Sequence, residues 1–254
     1  PEGLELKEET VMVESTNGNP KRVMIIVAHP DDGEFMAAGT LAKWAREGSE
    51  VYYVLCTSGD KGTSDPEIKP EDLAVIREKE QRAAAAVVGA KDVVFLRYPD
   101  GTLQNTLELR KDLVRQIRRY KPDVLVCQDP ENRYSDGYIN HPDHRAAGDT
   151  ALDAVFPSAR DYHVFPELVT EEGLMPHKIL EIYLGAQGST ATVWVDIADT
   201  IDVKIAALHE HMSQVGKTPE RLQSMESRIK ERSAEVGAAH AMSYAESFRY
   251  IHLR

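Results

Sequence analysis

Two short stretches of the sequence concentrate the residue types that carry out hydrolytic or metal chemistry. The first reads Ala28-His29-Pro30-Asp31-Asp32-Gly33-Glu34 and sets an imidazole beside two adjacent carboxylates. The second reads Asn140-His141-Pro142-Asp143-His144-Arg145 and carries two imidazoles three residues apart. Two histidines and a carboxylate that leave a fourth position open are the ligand set of a catalytic zinc site, whereas structural zinc is usually closed by cysteines. Taken singly, each stretch has a plainer reading. Either aspartate of an Asp-Asp pair at a helix start can simply cap the helix, and a His-x-x-His on a helix is commonly a solvated pair. His29 has no capping role at its position, and the presence of both stretches at compatible places favours metal.

The elements around them must bring the two together. Val23–Ala28 is an unbroken apolar run, as expected for a strand buried on both faces. Strand patterns recur at Glu50–Thr57, Asp92–Leu96 and Val124–Cys127, separated by helical patterns at Glu34–Glu47, Pro70–Val88 and Gln104–Tyr120. This alternation predicts right-handed βαβ units and an α/β fold: a Rossmann-like, doubly wound, mainly parallel sheet with helices on both faces. The first stretch follows strand one and the second follows strand four. Ligands of such sheets bind beyond the carboxyl ends of the strands, so a reversal of strand order between strands one and four would place both loops on one crevice. Pro30 keeps His29 extended, Gly33 allows a tight turn, and Asn140 suits the N-cap of a helix over Pro142–Val155. Beyond it, Pro157, Pro166 and Pro176 mark an irregular stretch. Strands at Ile179–Leu184 and Thr192–Val195 and helices at Thr200–Val215 and Pro219–Gly237 follow. The whole reads as one domain over 1–254: an arm over 1–20, a core with the metal site over 21–155, and a C-terminal elaboration over 156–254.

Composition narrows the partners. The 254 residues carry 30 lysines and arginines against 42 aspartates and glutamates, a net charge of −12, which repels nucleic acid and anionic membrane surfaces at long range. No apolar stretch approaches the ~18 residues of a membrane span, and the first residues show no signal-peptide pattern. Cys56 and Cys127 each end an apolar run and read as buried thiols of a reduced chain. The expectation is a cytoplasmic protein with a small-molecule partner, bound neither to nucleic acid nor into a membrane.

The two stretches together resemble the zinc-dependent N-deacetylases of the PIG-L/LmbE-like family. That family includes N-acetylglucosaminyl-phosphatidylinositol deacetylases and the deacetylases and amidases of bacterial low-molecular-weight thiol pathways. The resemblance continues through Thr57-Ser58-Gly59-Asp60-Lys61-Gly62, Ile76-Arg77-Glu78-Lys79-Glu80, Tyr98-Pro99-Asp100-Gly101 and, more weakly, His211-Met212-Ser213-Gln214. It implies His29, Asp32 and His144 as ligands of one zinc ion per subunit, with Fe2+ or another divalent ion as the alternative. It further implies Asp31 as general base, His141 at the developing oxyanion, and Arg77 and Asp100 where relatives hold the sugar. Asp143 is expected to hold a protonated His141. Relatives also associate through their outer surfaces, which leaves a homo-oligomer open. One departure stands out: some relatives carry a tyrosine two residues before the first histidine of the second stretch. Ile139 occupies that position here, with Tyr138 beside it, and no tyrosine is counted in the catalytic set.

The implied activity is removal of an acetyl group from an N-acetylated amino sugar or its conjugate. Its alternatives are an amidase acting on a glucosaminyl thiol conjugate and, in another class, a non-catalytic metal- or carbohydrate-binding protein. A dinucleotide-dependent oxidoreductase fits the alternation, but the G-x-G-x-x-G fingerprint is missing. Thr57–Gly62 reads as a substrate loop, Glu34 as a cap on the ligand loop, and His211 as packed against the sheet. Glu220–Glu231 reads as a solvated helix face.

Overall fold

Arg22–Val27 (β1) is buried along all but its first residue, and its alternating side chains feed two cores. Val23, Ile25 and Val27 pack with α1 (Asp32–Arg46) and α2 (Pro70–Val88), while Met24 and Ile26 pack with α3 (Leu107–Tyr120) and α4 (Pro142–Asp153). Burying a Val, Leu, Ile or Met side chain contributes about 1.5–3 kcal/mol, so a strand with no polar face is the natural centre of the sheet. The computed structural model describes residues 22–186 and 188–254, and the arm expected over 1–20 lies outside them.

The main sheet runs β3 (Asp92–Tyr98), β2 (Glu50–Thr57), β1, β4 (Val124–Gln128), β7 (Glu181–Gly185), β9 (Ala245–His252), β8 (Val193–Asp196). The first five of these are parallel to one another, and β9 runs antiparallel to both its neighbours. The chain therefore lays β2 and β3 on one side of β1 and returns to place β4 on the other. The order reverses between β1 and β4, which meets the condition for a shared crevice. Cys56 and Cys127 are buried and unbridged. No helix of the described residues is long and apolar enough to cross a membrane.

Several boundaries differ from the expected ones. The helix expected from Gln104 starts at Leu107, because the Thr106 side chain caps it by accepting from the Leu109 N–H. The helix expected to reach Val155 is α-helical to Asp153 and then widens over Ala154–Ala159, where Phe156 is extended. The loop between β4 and α4 contains a small hairpin, β5 (Tyr134–Ser135) and β6 (Tyr138–Ile139). After α5 (Glu167–Thr170), the helix expected over Thr200–Val215 is two: α6 (Ile201–His209) and α7 (Met212–Val215), with His211 between them. The last helix, α8 (Pro219–Ala238), packs on α6 through a third core that includes Ile201, Ile205, Met225 and Ile229.

β9 was not expected at all, and it carries a buried ion pair to the heart of the fold. Glu246 on β9 meets Lys204 on α6 at 2.6 Å. The Glu246 carboxylate accepts from the N–H groups of Gly39 (3.0 Å) and Thr40 (2.7 Å) in α1, and Lys204 donates to the Phe35 carbonyl (2.7 Å). Phe35 C=O and Gly39 N–H are the two ends of one helical rung. Removing either partner would leave an uncompensated buried charge, at a cost of about 3–5 kcal/mol.

Candidate active site

The chain leaves β1 through His29-Pro30, and Asp31 then adopts φ 86°, ψ −24°. Aspartate and asparagine visit this left-handed region more readily than other non-glycine residues. The tight turn is therefore made at Asp31 and not at Gly33. Gly33 lies inside α1, where a Cβ would come within 2.9 Å of the Tyr53 ring, so its role is close packing on β2.

This turn gives the adjacent carboxylates different partners. Asp32 accepts from the His29 N–H (2.8 Å), and its oxygens lie 3.3 Å from His29 Nδ1 and 3.0 Å from His144 Nε2. Asp31 faces Arg77 Nη2 at 3.4 Å. The second nitrogen of each ring is also engaged. His29 Nε2 lies 2.9 Å from Asp100 and 3.2 Å from Asp143, and His144 Nδ1 lies 3.0 Å from Asn140 Oδ1. His141 stands against both, with ring centroids 4.8 Å from His29 and 5.3 Å from His144.

Two expectations change here. Asn140 is not the cap of α4. His141 occupies that position, its Nδ1 accepting from the Asp143 N–H at 3.2 Å, while Asn140 turns to His144 and also accepts from the Tyr138 hydroxyl at 3.0 Å. Nor does Asp143 hold a protonated His141. Its carboxylate is 3.9 Å from His141 Nδ1 and is taken up by His29 and by the N–H groups of Gly101 (2.7 Å) and Leu103 (3.1 Å).

The donor atoms suit a divalent ion. Ring nitrogens of His29, His141 and His144 lie within 4.8 Å of one another, as do donor atoms of His29, Asp100 and Asp143. Two ligands about 2.1 Å from zinc at a tetrahedral angle are about 3.4 Å apart, close to the 3.3 and 3.0 Å that separate Asp32 from the two rings. The electrostatics agree. Burial works against a charged His29 ring, but hydrogen bonds to Asp100, Asp143 and Asp32 outweigh it and push its pKa up to about 12. Burial likewise opposes the Asp32 carboxylate, yet the charge and hydrogen bonds of His144 and His29 hold it well below the usual range. Ring protons thus stand where a cation's charge belongs. Asp31 is raised to about 7 by burial and the Asp32 charge, against the pull of Arg77 and His211.

Arg77 and Asp100 point inward. Arg77 is 4% exposed and donates to the Pro30 carbonyl (2.6 Å) and the Gly59 carbonyl (3.0 Å) as well as facing Asp31. Asp100 is 5% exposed and accepts from the Lys61 N–H (3.0 Å). The Thr57–Gly62 loop, read as a substrate loop, wraps the guanidinium. A Cβ on Gly59 or Gly62 would stand 2.2 or 2.4 Å from Arg77 Nη1.

Beneath Asp31 lies a chain of buried groups that the sequence did not reveal. The Asp31 N–H donates to Gln81 Oε1 (3.0 Å), Gln81 Nε2 donates to Glu34 Oε1 (2.9 Å), and His211 Nε2 lies 3.2 Å from Glu34 Oε2. Glu34 thus binds side chains and not the ligand-loop backbone. Gln81 lies four positions after Arg77 on α2, so helical spacing places both on one face. Burial opposes a charged His211, but the hydrogen bond and charge of Glu34 outweigh it and raise its pKa. A histidine raised in the fold contributes stability that is fully present below the unfolded pKa, about 6.5, and is lost as pH rises through the higher folded value. His211→Asn is therefore expected to lower Tm more at pH 5.5 than well above neutrality. Thermal melts at the two pH values check this, and an equal drop at both would refute the charged pairing.

The chain is similar to several known proteins. Diacetylchitobiose deacetylase of Thermococcus kodakarensis is 32% identical over 91% of this chain and 83% of its own length. The 1D-myo-inositol 2-acetamido-2-deoxy-alpha-D-glucopyranoside deacetylase of Thermobispora bispora is 30% identical, over 77% of this chain and 80% of its own. The solved structure of N,N'-diacetylchitobiose deacetylase from Pyrococcus horikoshii, in complex with its inhibitor, superposes with a TM-score of 0.83 and 31% identity, covering 92% of this chain and 85% of that one. Residues 24–155, which contain both motif stretches and the crevice between them, match the family described as PIG-L: GlcNAc-PI de-N-acetylase, and the chain belongs to that family.

Proposed function

We propose that the chain is a metal-dependent hydrolase that removes the acetyl group from an N-acetylglucosamine-type amino sugar or its conjugate. A divalent ion, zinc by preference, would be held by His29, Asp32 and His144, one per chain. The observation that carries this reading is the engagement of the far nitrogen of each ligand ring, His29 by Asp100 and Asp143 and His144 by Asn140. Such outer contacts fix the tautomer and aim the free lone pair at the metal. The same logic sets His141 apart. A neutral imidazole has one N–H, and His141 Nδ1 accepts from a backbone N–H, so its proton sits on Nε2. That makes Nε2 a donor, suited to a developing oxyanion and not to a ligand. Zinc ranks above iron in affinity for such a site.

When bound, the ion polarises the amide carbonyl and brings the pKa of a water to about 7. Asp31 accepts the proton of the attacking water as its oxygen adds to the carbonyl carbon, then delivers it to the nitrogen as the C–N bond breaks. His141 Nε2–H donates to the oxyanion in between. Arg77 and Asp100 act from behind, through Asp31 and His29. The products are acetate and a free amine.

The test is amine release from N-acetylglucosamine, its glycosides and a thiol-linked conjugate, with and without a chelator. Chelator-sensitive release restored by zinc is expected. No release from any substrate by zinc-loaded protein would overturn the reading, and release only from the thiol conjugate would favour the amidase. Asn140→Ala is expected to weaken zinc binding about 10–100-fold through the loss of the His144 contact. Competitive chelator titration measures this, and an unchanged affinity would remove Asn140 from the site.

A further inference from the structure

The His211-Met212-Ser213-Gln214 stretch has no part in the chemistry described so far, yet three of its four residues reach the elements around Asp31. His211 meets Glu34 at 3.2 Å. The Ser213 N–H and hydroxyl both donate to the Glu80 carboxylate, at 2.8 and 2.6 Å, and Gln214 Nε2 donates to the Gly62 carbonyl at 3.1 Å. Glu80 precedes Gln81, so the stretch is tied to the turn of α2 that touches Asp31. Two residues of α2, one turn apart, grip a single peptide group there. Arg77 Nη2 donates to the Pro30 carbonyl at 2.6 Å, and Gln81 Oε1 accepts from the Asp31 N–H at 3.0 Å. Among the described residues the Asp31 carboxylate has one hydrogen-bonding contact of its own, the 3.4 Å approach of Arg77. Its direction is therefore set chiefly by the backbone that carries it.

We propose that Gln81, held in place by Glu34 and His211, is a positioning residue for the general base: it fixes the left-handed turn at Asp31 and so aims the Asp31 carboxylate. The inference rests on the deacetylase reading. An aspartate at φ 86° is strained and persists only where its surroundings over-determine it. The grip on both ends of the Pro30–Asp31 peptide does this. A glutamine amide can face either way, but only its oxygen accepts from the Asp31 N–H. Glu34 settles the choice, because its carboxylate accepts from Gln81 Nε2 at 2.9 Å and would repel the amide oxygen. His211 holds Glu34 in turn. The other ring nitrogen of His211, Nδ1, has no hydrogen-bond partner among the described residues, so Glu34 is the ring's one polar contact. All three side chains are fully buried. Asp32 is fixed separately, by the His29 N–H and the two rings, so the chain from His211 bears on the base and not on the ligands.

The experiment compares Gln81→Met, His211→Asn and His211→Gln with the unmutated protein by amine release, zinc analysis and thermal melting. Methionine keeps the length of Gln81 without its hydrogen bonds. Its kcat is expected to fall on the order of 10–100-fold, the effect of a slight misplacement of a reacting group, with KM and zinc content little changed. Both His211 variants lose the ring and any charge it carries, but only the glutamine amide reaches as far as Nε2. His211→Asn is therefore expected to lower kcat several-fold and His211→Gln to recover most of it. In the metal-free protein, amide hydrogen exchange at Asp31, followed by NMR, is expected to quicken in Gln81→Met and His211→Asn but not in His211→Gln. Equal kcat in the two His211 variants, unchanged exchange at Asp31, or a loss confined to KM or zinc content overturns the inference. So does quicker exchange with kcat unchanged, which would make the grip structural alone. If the unmutated zinc-loaded protein releases amine from no substrate while the exchange pattern is as expected, it is the deacetylase reading that fails, and it takes the inference with it.

Discussion

Replacing Asp31 by asparagine is expected to lower kcat about 10²–10⁴-fold while leaving zinc content intact. The two effects separate because the adjacent aspartates have different partners: Asp32 lies between His29 and His144, and Asp31 faces Arg77. Asparagine keeps the shape of the side chain and tolerates the left-handed φ of 86°, so the loop is expected to hold its course. It loses the carboxylate that takes the proton of the attacking water and returns it to the amine. Steady-state amine release together with zinc analysis after gel filtration checks this. A fall of less than tenfold would remove Asp31 from proton transfer, and a loss of zinc would mean that it serves as a ligand.

Asp32→Asn is expected to do the converse, with zinc affinity falling more than a hundredfold and activity recovering only as excess zinc is supplied. Loss of a residue behind a ligand already costs about 10–100-fold, and Asp32 is the anionic contact shared by both rings. It also accepts from the His29 N–H at 2.8 Å. An amide oxygen can keep that bond, so the loop should hold its course, while the loss of the carboxylate charge that faces His29 and His144 should lower the melting temperature in the absence of metal. Dialysis against a zinc buffer of set free concentration gives the affinity. Retention of stoichiometric zinc at nanomolar free metal would refute the assignment, and the His29, His141 and His144 cluster would then be the better candidate.

The half of the molecule that was legible in the sequence is the half dominated by local pattern. Val23–Val27 announces a central strand because all its side chains are apolar, and a histidine and two carboxylates directly after such a strand can only lie at the sheet edge. What was not legible depends on choices between competing hydrogen bonds. Asn140 and His141 can each cap α4. Which one does is decided by the ring of His144, which claims Asn140. Arg77 reads as a helix surface charge or a sugar ligand until the carbonyls of Pro30 and Gly59 close around it. His211 and Glu34 have nothing in their spacing to link them, because 177 positions separate the partners. β9 escaped for a related reason, as Glu246 and Arg249 break its apolar pattern, yet Glu246 is buried by an ion pair that forms only across three elements.

That ion pair also sets an order of assembly. Glu246 reaches Gly39 across 207 positions of the chain, and contacts of such separation form late because the intervening chain must first be confined. During synthesis from the N-terminus, β1 to β4 and every residue of both motif stretches are present long before α1 receives its last hydrogen bonds. A stretch of chain that stops short of Glu246 therefore carries the complete reactive set on an unfinished helix. The hydrogen bonds that Glu246 accepts from Gly39 and Thr40 wait on the arrival of β9, the last strand of the main sheet to be made.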